Sequence, residues 1–102
     1  MPRYELSSLA EHDLTEIALY TRKTWGEAQS LHYATLLEAC FECIADGTQH
    51  TRPVSARHPD VFVCHCEHHY VFYIENKIPY IIAVLHEKMD MLQRLNKRLP
   101  RA

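Results

Sequence analysis

Four cysteines and a group of histidines are the residues here best suited to chemistry. Cys40-x-x-Cys43 is one pair, Cys64-His65-Cys66 is the other, and His68 and His69 follow closely. Thiolate and imidazole are the usual ligands of zinc. The spacing favours another reading. Cys40 and Cys43 fall inside a helical pattern and not on a knuckle turn. Cys64 and Cys66 alternate onto one face of a strand, where small apolar thiols pack well. The expectation is four free, buried thiols, no metal and no cofactor, and no disulfide in a reducing compartment. An imidazole titrates near neutrality, so His65, His68, His69 and His86 could each serve as general acid or base. The competing reading puts His68 and His69 in a hairpin turn and His86 at a strand end, where they make structural hydrogen bonds. Ser7, Ser8 and the cysteines do not converge on a nucleophile triad.

Charge supplies a second set of candidates. The net charge of −2 is uneven. Residues 1–46 carry eight acids and three bases, net −5, and residues 47–102 carry five acids and eight bases, net +3. Six of the eight histidines also lie in the second half. A basic C-terminal half suits a polyanion or an acidic protein partner. Lys88, Arg94, Lys97, Arg98 and Arg101 form a basic tail, and Arg52 and Arg57 lie in a polar stretch before the last strands.

Hydrophobic patterning shows what must position these groups. At 102 residues and 47% hydrophobic content, the chain fits one domain with a real core. No apolar run reaches the roughly 18 residues of a membrane span. MPRYELSS has no signal-peptide core, so a cytoplasmic protein is expected. Tyr80–His86 is apolar at nearly every position, which predicts a central strand covered on both faces. Tyr70–Glu75 pairs with it through the turn Asn76-Lys77-Ile78-Pro79, and Val61–Cys66 precedes it through Glu67-His68.

Two helices lie upstream. Ser8 and Glu11 fit a capping box. Ala10, Leu14, Ile17, Ala18, Thr21 and Trp25 then make one apolar stripe to Gly26, with Asp13 on the polar side. Leu31, Ala34, Leu37 or Glu38, Phe41 and Ile44 give the second helix the same period. Neither stripe is buried alone, so a helical hairpin should lie on the sheet. Residues 2–6 read as a first strand and residues 47–60 as a surface loop. Leu92, Leu95 and Leu99 read as the inner edge of a last helix, with Arg94, Lys97 and Arg98 pointing outward. The expected class is α+β, in the order β-α-α-β-β-β-α, with a mainly antiparallel sheet.

The same residues carry a family resemblance. Leu6-Ser7 precedes Ala10-Glu11-x-Asp13-Leu14-x-Glu16-Ile17, and Tyr20-x(4)-Trp25-Gly26 leads into Ala28-Gln29-x(3)-Tyr33-x(2)-Leu36. His68-His69-Tyr70-Val71-Phe72-Tyr73 and Ile82-x-Val84-Leu85-His86-x-Lys88-Met89-Asp90 follow. Together these resemble ParE toxins of type II toxin–antitoxin modules, in the wider RelE/ParE superfamily. The resemblance implies a helical hairpin on a small antiparallel sheet. It also implies a choice between ParE-like inhibition of DNA gyrase and RelE-like, ribosome-dependent cleavage of messenger RNA.

RelE-like toxins place an arginine in a Tyr-Arg-x-x-Tyr strand and a tyrosine near the C-terminus. Here Tyr70 and Leu92 occupy those places. A net charge of −2 also suits ribosomal RNA poorly. The ParE reading follows: a binding protein without catalytic residues, neutralised by a ParD-type antitoxin, with no membrane and no sequence-specific nucleic acid of its own. Its target-binding candidates are Arg52, Arg57, Lys88, Arg94, Lys97, Arg98 and Arg101. In the nuclease alternative, the site would use His65, His68, His69, His86 and Arg57.

Overall fold

The computed structural model describes residues 3–49, 51–89 and 91–99. The chain runs β1 (Glu5–Leu6), α1 (Ser8–Trp25), α2 (Glu27–Asp46), β2 (Arg52–Ser55), β3 (His58–Cys66), β4 (His69–Ile74), β5 (Tyr80–His86) and α3 (Met91–Asn96). One sheet takes the order β1-β5-β4-β3-β2. β1 lies parallel to β5 and the other pairings are antiparallel. The fold is α+β, as the patterning predicts.

β5 is flanked by β1 and β4, and Ile81 through Leu85 are all buried. Two clusters explain why it is apolar throughout. On one face Ile81 and Val84 join Val71, Tyr73, Cys64 and Cys66 beneath Ala10 of α1 and Leu37, Cys40, Phe41 and Ile44 of α2. On the other face Ile82, Ala83 and Leu85 join Val61, Val63 and Phe72 beneath Leu95 and Leu99. The β4–β5 register shifts between Phe72 and Tyr73. That irregularity lets Ile82 and Ala83 share a face, which strict alternation would forbid.

The sheet has one strand more than the sequence reading expected. β2 falls inside the stretch read as a loop. Its side chains are mostly exposed and it contains Pro53, so it has no hydrophobic alternation to read. Backbone pairing of Arg52 with Val63 and Pro53 with Phe62 holds it at the sheet edge, where proline is tolerated.

The helix ends are set by a serine and a glycine. Ser7, not Ser8, caps α1: its hydroxyl accepts the Ala10 N–H at 3.0 Å. Gly26, at φ 96°, ends α1 and starts α2 in a backbone conformation that side chains disfavour.

Because β1 is short, much of the outer edge of β5 has no neighbouring strand, and side chains take its place. Asp13 accepts the Val84 N–H at 2.9 Å. Arg98 donates to the Ile82 carbonyl at 2.9 Å and clamps Asp13 with two bonds of 2.7 and 2.8 Å. The two side chains are only 16% and 11% exposed. The patterning puts Asp13 on the polar side of its helix and points Arg98 outward. Both turn inward instead, because unpaired strand groups at a buried edge need partners.

Two stripe residues also depart from expectation. Trp25 is 70% and Leu31 64% exposed. Among the described residues α1 buries Ala10, near its start, and α2 buries residues from Tyr33 onward. The sheet covers the root of the hairpin and leaves its turn end bare.

Candidate functional site

The histidines gather where β3, β4 and β5 end together. Glu67, at φ 56°, and His68 form the turn between β3 and β4. Across the sheet His65 opposes Tyr70, and His69 opposes His86. The His69 and His86 rings meet edge-on with centroids 5.1 Å apart. Tyr33 reaches in from α2. Its hydroxyl accepts the His68 backbone N–H at 3.0 Å and lies 2.6 Å from His69 Nδ1. With the His68 N–H donating to it, the phenol still has its own proton to donate to Nδ1 of a neutral His69.

These surroundings decide what the histidines can do. Burial, reinforced by His86 and His68, holds His69 down to about 4. Burial also raises the Tyr33 phenol above its usual range. The pair is therefore a neutral hydrogen bond at physiological pH, and His69 carries no ready proton for catalysis. His86 Nδ1 accepts the Lys88 N–H at 3.1 Å. His65 and His68 donate to the two oxygens of Glu87 at 3.0 and 3.4 Å. The His65 bond comes first among the causes that hold the Glu87 carboxyl below its usual range. Tyr33 and Glu87 are not among the candidates that the sequence singles out. A tyrosine on a buried helix stripe is a signal for Tyr33, since its hydroxyl needs a partner.

The basic candidates do not form one patch. Arg52 is exposed on β2 and Arg57 is exposed in the turn that follows it, at one sheet edge. Lys88 follows β5, and Arg94 and Lys97 lie on or just after α3, which packs on β5. Arg98 is committed to Asp13, whose hydrogen bonds hold its guanidinium above the usual range. Arg101 lies outside the described residues. Two candidates do meet: Arg52 and His65 line one open recess of about 370 Å³ with Thr51 and Tyr70.

The hairpin offers a different kind of surface. A cleft of about 140 Å³ runs between α1 and α2, lined by Leu14, Ile17, Thr21, Tyr33, Leu37 and Phe41. Leu19, Tyr20, Trp25 and Leu31 are exposed on the same two helices. At about 100° per residue Trp25 falls on the cleft side of α1, while Leu19 and Tyr20 fall on its far side.

The cysteines correct the expectation of four free thiols. Cys40 and Cys66 are joined in a disulfide, and Cys43 and Cys64 remain free. Cys40 and Cys43 do lie on a helix and Cys64 and Cys66 on a strand, but α2 docks with Cys40 over the β3 face that holds Cys64 and Cys66. Burial, with a contribution from Cys43, pushes the Cys64 thiol up to about 12.

Comparison with known proteins places the chain. The family model for the ParE toxin of the type II toxin–antitoxin system parDE matches residues 4–91. Toxin ParE of Escherichia coli is 39% identical over 101 residues, which cover 97% of this chain and 98% of that protein. Toxin ParE1 of Caulobacter vibrioides is 34% identical over 90 residues, 88% of this chain and 94% of that one. A solved structure of the chromosomal ParDE TA system from P. aeruginosa matches with a TM-score of 0.67 at 14% identity. That match covers 82% of this chain and 96% of the other, a likeness of fold. Among the described residues no helix is long and apolar enough to cross a membrane. With the family match spanning most of its length and a relative aligned over nearly all of it, the chain belongs to the ParE toxin family of type II toxin–antitoxin systems.

Proposed function

We propose that this chain inhibits DNA gyrase by binding it in the cytoplasm, and that a ParD-type antitoxin neutralises it by covering the helical hairpin. One observation carries the reading: the hairpin ends in exposed apolar side chains, while the best-placed histidine, His69, is buried, neutral and bonded to Tyr33. The molecule thus offers a surface ready to bind, and its central imidazole is occupied by structure. An antitoxin segment that lays an amphipathic helix along the α1–α2 cleft would cover that surface. Arg52, Arg57, Lys88, Arg94 and Lys97 are exposed charges suited to steering a large partner.

A second reading, cleavage of messenger RNA, rests on Arg52, His65 and Tyr70 sharing one recess, a cation beside an imidazole. Two assays separate the readings: supercoiling by purified gyrase and messenger RNA cutting on translating ribosomes. The expected result is inhibited supercoiling, unchanged in His65→Ala and His86→Ala, with no cutting. Untouched supercoiling, together with cutting that disappears in His65→Ala, would establish the nuclease.

A further inference from the structure

Helix α2 and strand β3 meet through sulfur. Cys40 and Cys43 stand one turn apart on α2, and Cys64 and Cys66 share the β3 face beneath it. Cys40, Cys64 and Cys66 are 9%, 3% and 4% exposed. Their Sγ atoms all lie within 4.8 Å of one another. Cys40 and Cys66 are joined, with Cα atoms 6.3 Å apart, and Cys64 Sγ lies 3.8 Å from Cys66 Sγ.

We propose that in the reduced protein Cys40, Cys64 and Cys66 form a three-thiolate site for a thiophilic d¹⁰ cation, zinc or copper(I), at the joint between α2 and β3. The sulfur spacing supports it. Zinc–thiolate bonds of about 2.3 Å in a tetrahedron set sulfur–sulfur edges of about 3.8 Å, the separation of Cys64 and Cys66. The ligands come from a helix and a strand packed in one core, so the backbone holds them in place without a loop having to order. An all-sulfur set selects soft ions over magnesium or calcium. Leu37, Phe41 and Val71 belong to the same buried cluster and keep the site dry. Cys43, three residues after Cys40 and half-buried, stands outside the three-sulfur group.

Disulfide and metal compete for the same atoms. A phosphine or dithiol reductant delivers two electrons, and two protons complete the Cys40 and Cys66 thiols. A bound cation then displaces three thiol protons, so its affinity falls as pH falls. A buried thiol that is inert alone becomes a ligand once a positive ion is beside it.

The test uses the whole chain, reduced with a phosphine under anaerobic conditions. It is titrated with Zn²⁺ and, separately, with Cu(I), and followed by native mass spectrometry. Stoichiometric uptake of either ion is expected. Uptake should be lost in Cys64→Ser and Cys66→Ser variants whose far-UV circular dichroism matches wild type. It should be unchanged in His65→Ala, which removes the imidazole on the same strand. Protein with the Cys40–Cys66 bridge closed should take up neither ion. The proposal is overturned if the reduced wild-type chain binds neither ion, however the variants fold. It is equally overturned by uptake that survives Cys64→Ser, that needs His65, or that persists in the disulfide form.

Discussion

The two ends of the helical hairpin are made of the same amphipathic material and meet opposite fates. At the root, Ala10, Leu37, Phe41 and Ile44 are buried on the sheet. Arg3 ties the chain's start to Glu42 and Asp46 of α2. At the turn, Leu19, Tyr20, Trp25 and Leu31 stand exposed around Gly26. Helical periodicity says that a face needs a partner. It does not say whether that partner lies in the same chain. The sheet supplies the partner at the root and stops short of the turn, so apolar side chains that stabilise the fold at one end stay exposed at the other.

The strongest way to break this comparison is a core deletion at the root. Phe41 is 1% exposed, and Phe41→Ala should cost about 3–5 kcal/mol in urea unfolding. A loss below about 1 kcal/mol would mean that the root is no better packed than a surface site. The Asp13–Arg98 clamp comes next. Asp13→Ala strands the Arg98 charge and the Val84 N–H at a buried edge, at a cost of about 3 kcal/mol. Arg98→Ala should do similar damage, and the double variant should cost less than the two singles summed. Strict additivity would show that the two residues act separately. Removing residues 96–102 should also destabilise the fold, since it takes both Arg98 and the buried Leu99.

A pH profile gives a further, smaller effect where the sheet meets α2 at Tyr33. His69 titrates at about 4 when folded, against the usual 6.5. Between those values the unfolded chain binds the extra proton, so stability rises with pH through that window. The contribution is complete above about 6.5 and is lost as pH falls toward 4. His69→Gln should flatten the window. The Glu87 carboxyl, held low by His65 and His68, adds a loss in the same direction at lower pH. A wild-type profile with no slope between pH 4 and 6.5 would show that His69 is not held neutral.

What could be read beforehand follows the same division. The central strand was legible because Tyr80–His86 has no polar break, and the hairpin because two apolar periods meet at Gly26. Pairings between distant residues were not. Asp13 and Arg98 are 85 positions apart and read as ordinary surface charges until the bare edge of β5 is known. Cys40 and Cys66 are 26 positions apart and meet only through the docking of α2 on β3. Ser7 and Ser8 are equally good caps by type, and only the end of β1 decides between them. Trp25 and Leu31 keep the helical period beyond the place where the sheet ends, so their stripe gave the wrong burial. The histidines were legible as a cluster, but His69 became interpretable only with the Tyr33 hydroxyl beside it.

The hairpin's turn end carries the central claim, and a paired measurement on Trp25→Ala/Leu31→Ala tests it most directly. Unfolding free energy and affinity for the cognate antitoxin are measured on the same preparation. The expected stability change is within about 0.5 kcal/mol per site, because neither side chain is buried. The expected affinity loss is about tenfold or more, as for aromatic and apolar anchors at the centre of an interface. A stability loss approaching that of Phe41→Ala, with antitoxin affinity unchanged, would contradict the account and make the turn end part of the core.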